Sequence, residues 1–420
     1  MNKYLKLLLI PLLLGLIVGG SSLYPQKVQA ACGSSYSNCY TVTTVHAKVA
    51  NTDQTNFPML FSTSTMSSLA TVANGGLVNN TTTFNGQTVP ADLIFSSASN
   101  CSAAMSYDVE KYVSTTGEIV AWIKIPTLHT GSDDSIYLCL GNSGVTTYQG
   151  GSVGAVYDTN YKRVWHMNDN AANTTVIDST ATNNGVSTNN TSGMATSTKI
   201  DGNFAMNGTT DGFQTGTVTF PNATSTWTFS AWVKTSATDA AIFGMRDNSG
   251  GCPIMELAVG NNGAGNSGTG KPTILVRDMG CGGLTQITSA STINDNAWHY
   301  VVNTRTSAQL NTLYVDGVSV ASGTDTAGAG FPFNTGASGP YFGDESTNTG
   351  IPNFNGSVDE ARISFTNRSA DWITTEYNNQ SSPGTFYVVG PQQSAGGVTA
   401  PVPTVYLRAD AIIKGYTIIK

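Results

Sequence analysis

Charge is scarce in this chain of 420 residues, of which only 11% are Asp, Glu, Lys or Arg. The 19 basic and 26 acidic residues leave a net charge of −7, and no Lys/Arg-rich run is available to follow a phosphate backbone. Nucleic acid is therefore not an expected partner. Histidine occurs four times, at His46, His129, His166 and His299, each far from the others, and no Cys-x-x-Cys is present, so a zinc site has no spacing to rest on. His166 and His299 each follow a Trp in a strand-like run and read as packed side chains. The apolar run from Leu7 to Val18 is broken by Pro11 and Gly15 and falls short of the ~20 residues of a membrane-spanning helix. A sustained 3.6-residue period is missing too, which argues against a helical body.

What remains is a β pattern. Short apolar runs stand among Thr, Ser, Asn and 45 Gly, and they alternate in the manner of half-buried strands. In Gly117–Pro126 the residues Ile119, Ala121, Ile123 and Ile125 share one face, expected buried, while Glu118, Val120, Trp122 and Lys124 share a partly wet one. Asp316-Gly317 is the pair that a tight hairpin uses, because its turn needs positive φ. One helix is expected, Ser369 to Tyr377, with Ser369 as its cap. The length asks for two folded units, and a Gly-rich stretch from Gly141 to Gly154 reads as the linker between them. A Pro/Gly/Ser/Thr linker and a short strand-like tail occupy 391–420.

The first thirty residues read as a cleaved secretory signal: Lys3 and Lys6, then the apolar run, then Val28-Gln29-Ala30. A secreted or cell-surface protein with no stable transmembrane helix after cleavage follows. Cys32, Cys39, Cys101, Cys139, Cys252 and Cys281 all lie beyond that signal, and an even count in an exported chain points to disulfides. If each unit closes its own bridges, Cys252 pairs with Cys281 and the first four pair among themselves, with Cys32–Cys39 and Cys101–Cys139 the preferred choice.

Catalytic motifs are weak. Gly150-Gly151-Ser152-Val153-Gly154 spells a nucleophile elbow without the strand and helix that its chemistry needs, and Gly263–Gly268 spells a nucleotide loop without a βαβ unit. A glucanase needs two carboxylates across a cleft, yet Asp359 and Glu360 are adjacent and so face opposite sides of a strand, as would Asp133 and Asp134. Acids and amides near turns suit calcium, a hard cation that takes oxygen ligands, and Asp178, Asn207, Asp211 and Asp359 are the candidates. Among aromatics, Trp122, Trp165, Trp232 and Trp298 read as core. Trp227 and Trp372 are freer, and Trp227, Tyr341 and Phe342 are left as ligand contacts, the last two on a loop rim.

Two stretches resemble known families. "PADLIF", "VEKY", "IVAWIKIP", "IYLCLGN" and "VYDTNYKRVWHM" resemble the bacterial domain of unknown function 2341. "FAMNGTTDGF", "TFSAWVK", "AWHYVV", "LYVDGV" and "FNGSVDEARIS" resemble a laminin-G-like, concanavalin A-type jelly roll. The expected organisation is a signal peptide (1–30), the first domain (31–145), the jelly roll (146–390) and the tail (391–420). The resemblance implies an all-β protein of two β-sandwich units, a scaffold that binds glycans or proteins, often with calcium at one edge, and a domain disulfide that Cys252 and Cys281 would supply. Asp211 and Asp359 stand in the family's "DG" and "DE" strings as metal ligands or turn-fixing acceptors. No catalytic residue is carried over. The expected function is that of a non-enzymatic, adhesin-like protein binding glycan or a surface protein. The alternatives are a concanavalin A-like polysaccharide hydrolase and a structural subunit of an envelope appendage.

Overall fold

The computed structural model describes residues 32–33, 35–196, 199–215, 226–246, 252, 254–260, 268–278, 282–327, 341–343 and 353–395. The proposed signal, Cys281, nearly all of the Gly263–Gly268 string and the tail beyond 395 lie outside the described residues.

In the first unit the alternating strand Glu118–Leu128 lies between Gln54–Thr63 and Tyr107–Val113 in a three-stranded antiparallel sheet. Ile119, Ala121, Ile123 and Ile125 are buried as their spacing predicts. The opposite face is partly wet, as expected: Glu118 and Lys124 are half-buried, while Val120 and Trp122 are buried and His166 of the second unit stacks on the Trp122 ring at 5.6 Å. A second sheet runs Leu93–Ser96, Ser135–Leu140, Asn38–Thr44 and Tyr387–Val389. The two sheets share an apolar core in which Phe61 meets Phe95 edge-on. The disulfides Cys32–Cys39 and Cys101–Cys139 are the expected pairs. Cys252 is disulfide-bonded as well.

The second unit is two eight-stranded sheets face to face, with every strand pairing antiparallel. One is centred on Trp227–Thr235, flanked by Asn355–Ser364 and Trp298–Arg305; the other is centred on Ala240–Arg246 and Ile254–Val259. Residues of alternating parity fill the space between them, among them Phe229, Ala231 and Val233 from the first and Phe213, Phe243, Leu257 and Ile274 from the second. The hairpin at Asp316-Gly317 forms as expected, both residues having positive φ (52° and 80°). A Cβ on Gly317 would also come within 3.1 Å of Tyr377 Cβ on the helix behind it. Gly317→Ala is expected to lower the unfolding free energy by about 1–2 kcal/mol in urea titrations. Gly131→Ala, at a site with ordinary φ and no atom within 4 Å of the added carbon, should change it by less than about 0.5 kcal/mol.

The helix spans Ala370–Ser381, capped by Ser369 Oγ, which accepts from Trp372 N at 3.1 Å. It leads back to the first unit, where Trp372, Phe386 and Tyr387 enter the apolar core and Tyr387–Val389 adds a strand beside Asn38–Thr44. Gln393–Ser394 pairs with the start of that same strand. A division at 390 and a linker beginning at 391 therefore need correction: the chain returns after the jelly roll and completes the sheet in which it began. The Gly141–Gly154 stretch carries no strand, as a connector should, but Tyr148 within it stacks on Phe84.

Candidate functional site

Because the chain returns, the two units meet along a seam, and the seam holds two polar features. The first is a buried charge cluster. Two β-bulges build it, one in each unit. In Tyr107–Val113 the pairing with Glu118–Leu128 slips between Val109 and Lys111, leaving Glu110 as the extra residue. In Asn355–Ser364 the pairing with Trp227–Thr235 slips opposite Ser230 and Trp232, and Glu360 there takes a φ of 50°. That positive φ lifts Glu360 out of the strand's alternation and turns its carboxylate to His166 Nδ1 at 2.6 Å and to Arg362 Nη2 at 2.7 Å. Arg362 also donates to Glu376 Oε1 at 2.6 Å, and its guanidinium lies 4.3 Å from the centre of the Trp122 ring. The Trp122 indole donates to Glu110 Oε2 at 2.9 Å, and Tyr300 OH to Glu376 Oε2 at 2.8 Å. All of these side chains are at most 5% exposed.

The charges settle accordingly. Burial alone would lower the His166 pKa, but Glu360 and Glu110 outweigh it and hold the imidazole protonated well above its ordinary range. Burial would likewise raise Glu360, yet His166 and Arg362 bring it below the usual carboxylate value. Glu110 and Asp359, where burial wins, are pushed well above theirs. Nearby Asp169 is pushed by burial up to about 6. Its folded-state pKa exceeds the unfolded value of about 3.9, so the folded protein binds that proton more tightly and loses stability as pH rises from about 4 to 6. Asp169→Asn should remove about 3 kcal/mol of that decline, read as the difference between wild-type and variant unfolding free energies in urea titrations across this window.

The second feature is an open cleft of about 410 Å³. Its walls come from three Thr/Asn/Asp-rich strings: 52–56 of the first unit, 158–160 at the junction and 366–369 before the helix, with Trp372 at the base. Asn56 holds a φ of 53° on this wall. Arg368 grips Asp158 with both terminal nitrogens at 2.8 and 2.9 Å and stacks over Trp372 at 4.1 Å. Burial would raise the Asp158 pKa, but Arg368 brings it below the ordinary carboxylate range. Phe57 covers the Trp372 ring edge-on at 5.1 Å and Arg368 lies over it, so this indole is not an open stacking platform. Two N–H groups in this wall, Arg368 Nε and Trp372 Nε1, have no hydrogen-bond partner, although their residues are only 8% and 5% exposed. A buried donor left unmatched costs about 1–3 kcal/mol.

The candidate calcium ligands are spread over separate elements. Asp178, 1% exposed, accepts from Val164 N, Thr180 N and Thr182 Oγ1. Asp211 accepts from Asn207 N and Asn189, while Asn207 Oδ1 accepts from Thr209 N and Thr210 N. Asp359 accepts from Ile200 N and Glu360 N. Only Asn207 and Asp211 share a turn, Asp359 lies in the strand Asn355–Ser364, and each of the four accepts from a backbone N–H. The aromatic candidates also need correction. Trp227 is 1% exposed, with its indole donating to Asn303, and Phe342 stacks on Phe213 in the core. Trp372, expected to be free for stacking, is buried as described. Tyr341, next to core residue Phe342, takes the opposite, outward face of its sheet and is half-buried. Gly150–Gly154 forms turns with no helix after it, and Asp133 and Asp134 hold His46 and His129 at 2.6 Å.

The twin antiparallel sheets packed face to face define the second unit as a jelly roll of the concanavalin A type. Residues 207–374 match the family model described as the concanavalin A-like lectin/glucanases superfamily, and residues 90–168 match domain of unknown function 2341, in the order expected from the sequence. No curated protein matches the chain. Similar solved structures include the binding domain of Paraclostridial Mosquitocidal Protein 1 (13% identity, TM-score 0.40, 52% of each chain covered). Another is the botulinum neurotoxin serotype D ligand binding domain in complex with N-acetylneuraminic acid (15%, 0.40, 55% of this chain and 53% of that one). A third is domain 4 of AbnA, an extracellular arabinanase from Geobacillus stearothermophilus, in complex with arabinotriose (20%, 0.38, 51% and 97%). The chain spans about half the length of the two toxin-domain chains. No described helix is long and apolar enough to cross a membrane.

Proposed function

We propose that this is an exported, cell-surface or secreted binding protein, adhesin-like in role, that recognises a glycan in the cleft between its two units. The observation that carries this reading is the open cleft itself, lined by Thr, Asn, Gln, Ser and Asp beside Arg368 and Trp372, with two unmatched donors, Arg368 Nε and Trp372 Nε1, shielded behind its wall where a ligand reaches them by displacing that wall. Sugars offer what such a wall lacks: many hydroxyl oxygens that accept from fixed N–H groups while donating to amides and carboxylates. Asp53 and Asp158 against the single Arg368 give the lining an excess of negative charge, which favours a neutral oligosaccharide over an acidic one. The volume, about 410 Å³, lies within the range of small-ligand sites. The match to a lectin/glucanase superfamily supports the same class of ligand. Asp158 is already committed to Arg368, which leaves it poorly placed as a hydrolytic acid or base.

The test is a glycan array probed with the full chain, with and without calcium, followed by titration of the best ligand. Saturable binding of a neutral oligosaccharide without release of reducing ends is the expected result. A blank array under both conditions would sink the proposal, and reducing-end release would favour the hydrolase.

A further inference from the structure

We propose that the charge cluster at the seam is a proton-operated latch, closed while its surplus carboxylates hold protons and loosened, so that the two units part, as rising pH removes them. Five buried carboxylates meet there, Asp108 and Glu110 from the first unit and Asp359, Glu360 and Glu376 from the second. Two buried cations face them, His166 and Arg362. His166 reaches toward the first unit's acids, with Nδ1 3.5 Å from Glu110 Oε2 and Nε2 3.9 Å from Asp108 Oδ2. Arg362 gives its bonds to Glu360 and Glu376. The groups around the cluster do not correct the imbalance. Lys111 pairs with Asp201 and Glu118, Arg163 with Asp178 and Arg368 with Asp158, while Lys124 donates to the Ala155 carbonyl. Tyr157, Tyr161 and Tyr300 bring phenols that burial keeps protonated. Asp169 adds an acid within the field of His166, and Lys199, within that of Asp359, stacks on the Trp232 ring at 3.6 Å. With these two counted, six acids still face three cations.

An ionised carboxylate sealed in a seam without a counter-charge or a full set of donors is costly, and its acid form is much less so. Glu110 shows the shortfall directly: Oε2 accepts from the Trp122 indole, while Oε1 has no hydrogen-bond partner, as is true of Asp108 Oδ2. Because the acids sit on both sides of the seam, each proton lost sets like charges of the two units against each other. Burial pushes Glu110 and Asp359 well above the usual carboxylate range; His166, in spite of burial, holds its proton well above its own range beside Glu360 and Glu110. Raised folded-state values contribute stability that, for the two acids, is full below about pH 4 and is lost as pH climbs through those values. Against burial, His166 and Arg362 hold Glu360 low, so it changes only in stronger acid.

The experiment follows indole N–H hydrogen exchange in the full chain by NMR, from about pH 5 to about pH 8. Trp122, which donates to Glu110 at the seam, reports on the latch, and Trp227, which donates to Asn303 inside the jelly roll, is the reference. Since both are indoles, the ratio of their rates cancels the base catalysis of exchange itself. The Trp122-to-Trp227 ratio is expected to rise at least about 10-fold over this range. Glu110→Gln keeps an oxygen for the indole but cannot ionise, and should hold the rise below about 3-fold. A wild-type ratio that stays constant overturns the proposal, as does an equal rise in Glu110→Gln. The wild-type ratio needs no variant, so it decides the matter even where Glu110→Gln does not fold. Neither indole belongs to the glycan cleft, so the outcome is separable from that of the array.

Discussion

Arg362→Leu is expected to lower the unfolding free energy by about 3–5 kcal/mol, the cost of removing one partner from a fully buried ion-pair network. Arg362 is 2% exposed and donates to Glu360 and Glu376, so the substitution leaves two carboxylates inside the protein short of a counter-charge. Replacing the whole network by apolar groups of the same volume would cost far less, because the penalty comes from the charge left behind. The guanidinium also covers Trp122 of the first unit from its place on a strand of the second, so the loss falls on the seam and not on either core alone. Urea unfolding of the wild type should therefore follow one transition for both units. In Arg362→Leu the midpoint should fall sharply, and the transition should broaden or divide as the units uncouple. A change below about 1 kcal/mol would show that the network is not what joins them.

The second large effect concerns binding. Trp372→Phe keeps the ring against Phe57 but deletes the indole N–H, and should weaken glycan affinity about tenfold, the equivalent of one hydrogen bond of about 1.4 kcal/mol. Arg368→Met removes Nε–H and also frees Asp158, which the guanidinium holds in place, so a loss on the order of 100-fold is expected. Tyr341→Ala, on the outward face of the other sheet, should leave affinity within about twofold of wild type. The comparison matters because the sequence alone favours Tyr341 and its neighbour as contacts. Titration calorimetry on the three variants ranks them directly.

Much of the fold was legible from local chemistry. The alternation in Glu118–Leu128, the Asp316-Gly317 turn, the Ser369 cap and two disulfides appear where residue type and spacing put them. The seam was not, for physical reasons. Periodicity reports on neighbours in sequence, whereas His166 and Glu360 are 194 residues apart. The adjacency of Asp359 and Glu360 suggested opposite faces of a strand; both are buried, and a bulge with positive φ, which no local motif announces, aims Glu360 at the first unit. Trp122 read as core from its strand run, but the same blindness hid that its cover, His166 and Arg362, comes from the second unit. The cleft left a fainter trace: 52–56, 158–160 and 366–369 share a Thr/Asn/Asp composition that local reading assigns to ordinary turns, and only the returning helix brings them together with Trp372.

The most direct check follows the Trp372 indole N–H by ¹H–¹⁵N correlation spectroscopy during titration with the glycan selected on the array, its peak being the one absent in Trp372→Phe. A saturable shift of that resonance, tracking the calorimetric affinity, is the predicted result. Tight glycan binding that leaves the Trp372 peak in place would mean that recognition occurs elsewhere on the molecule.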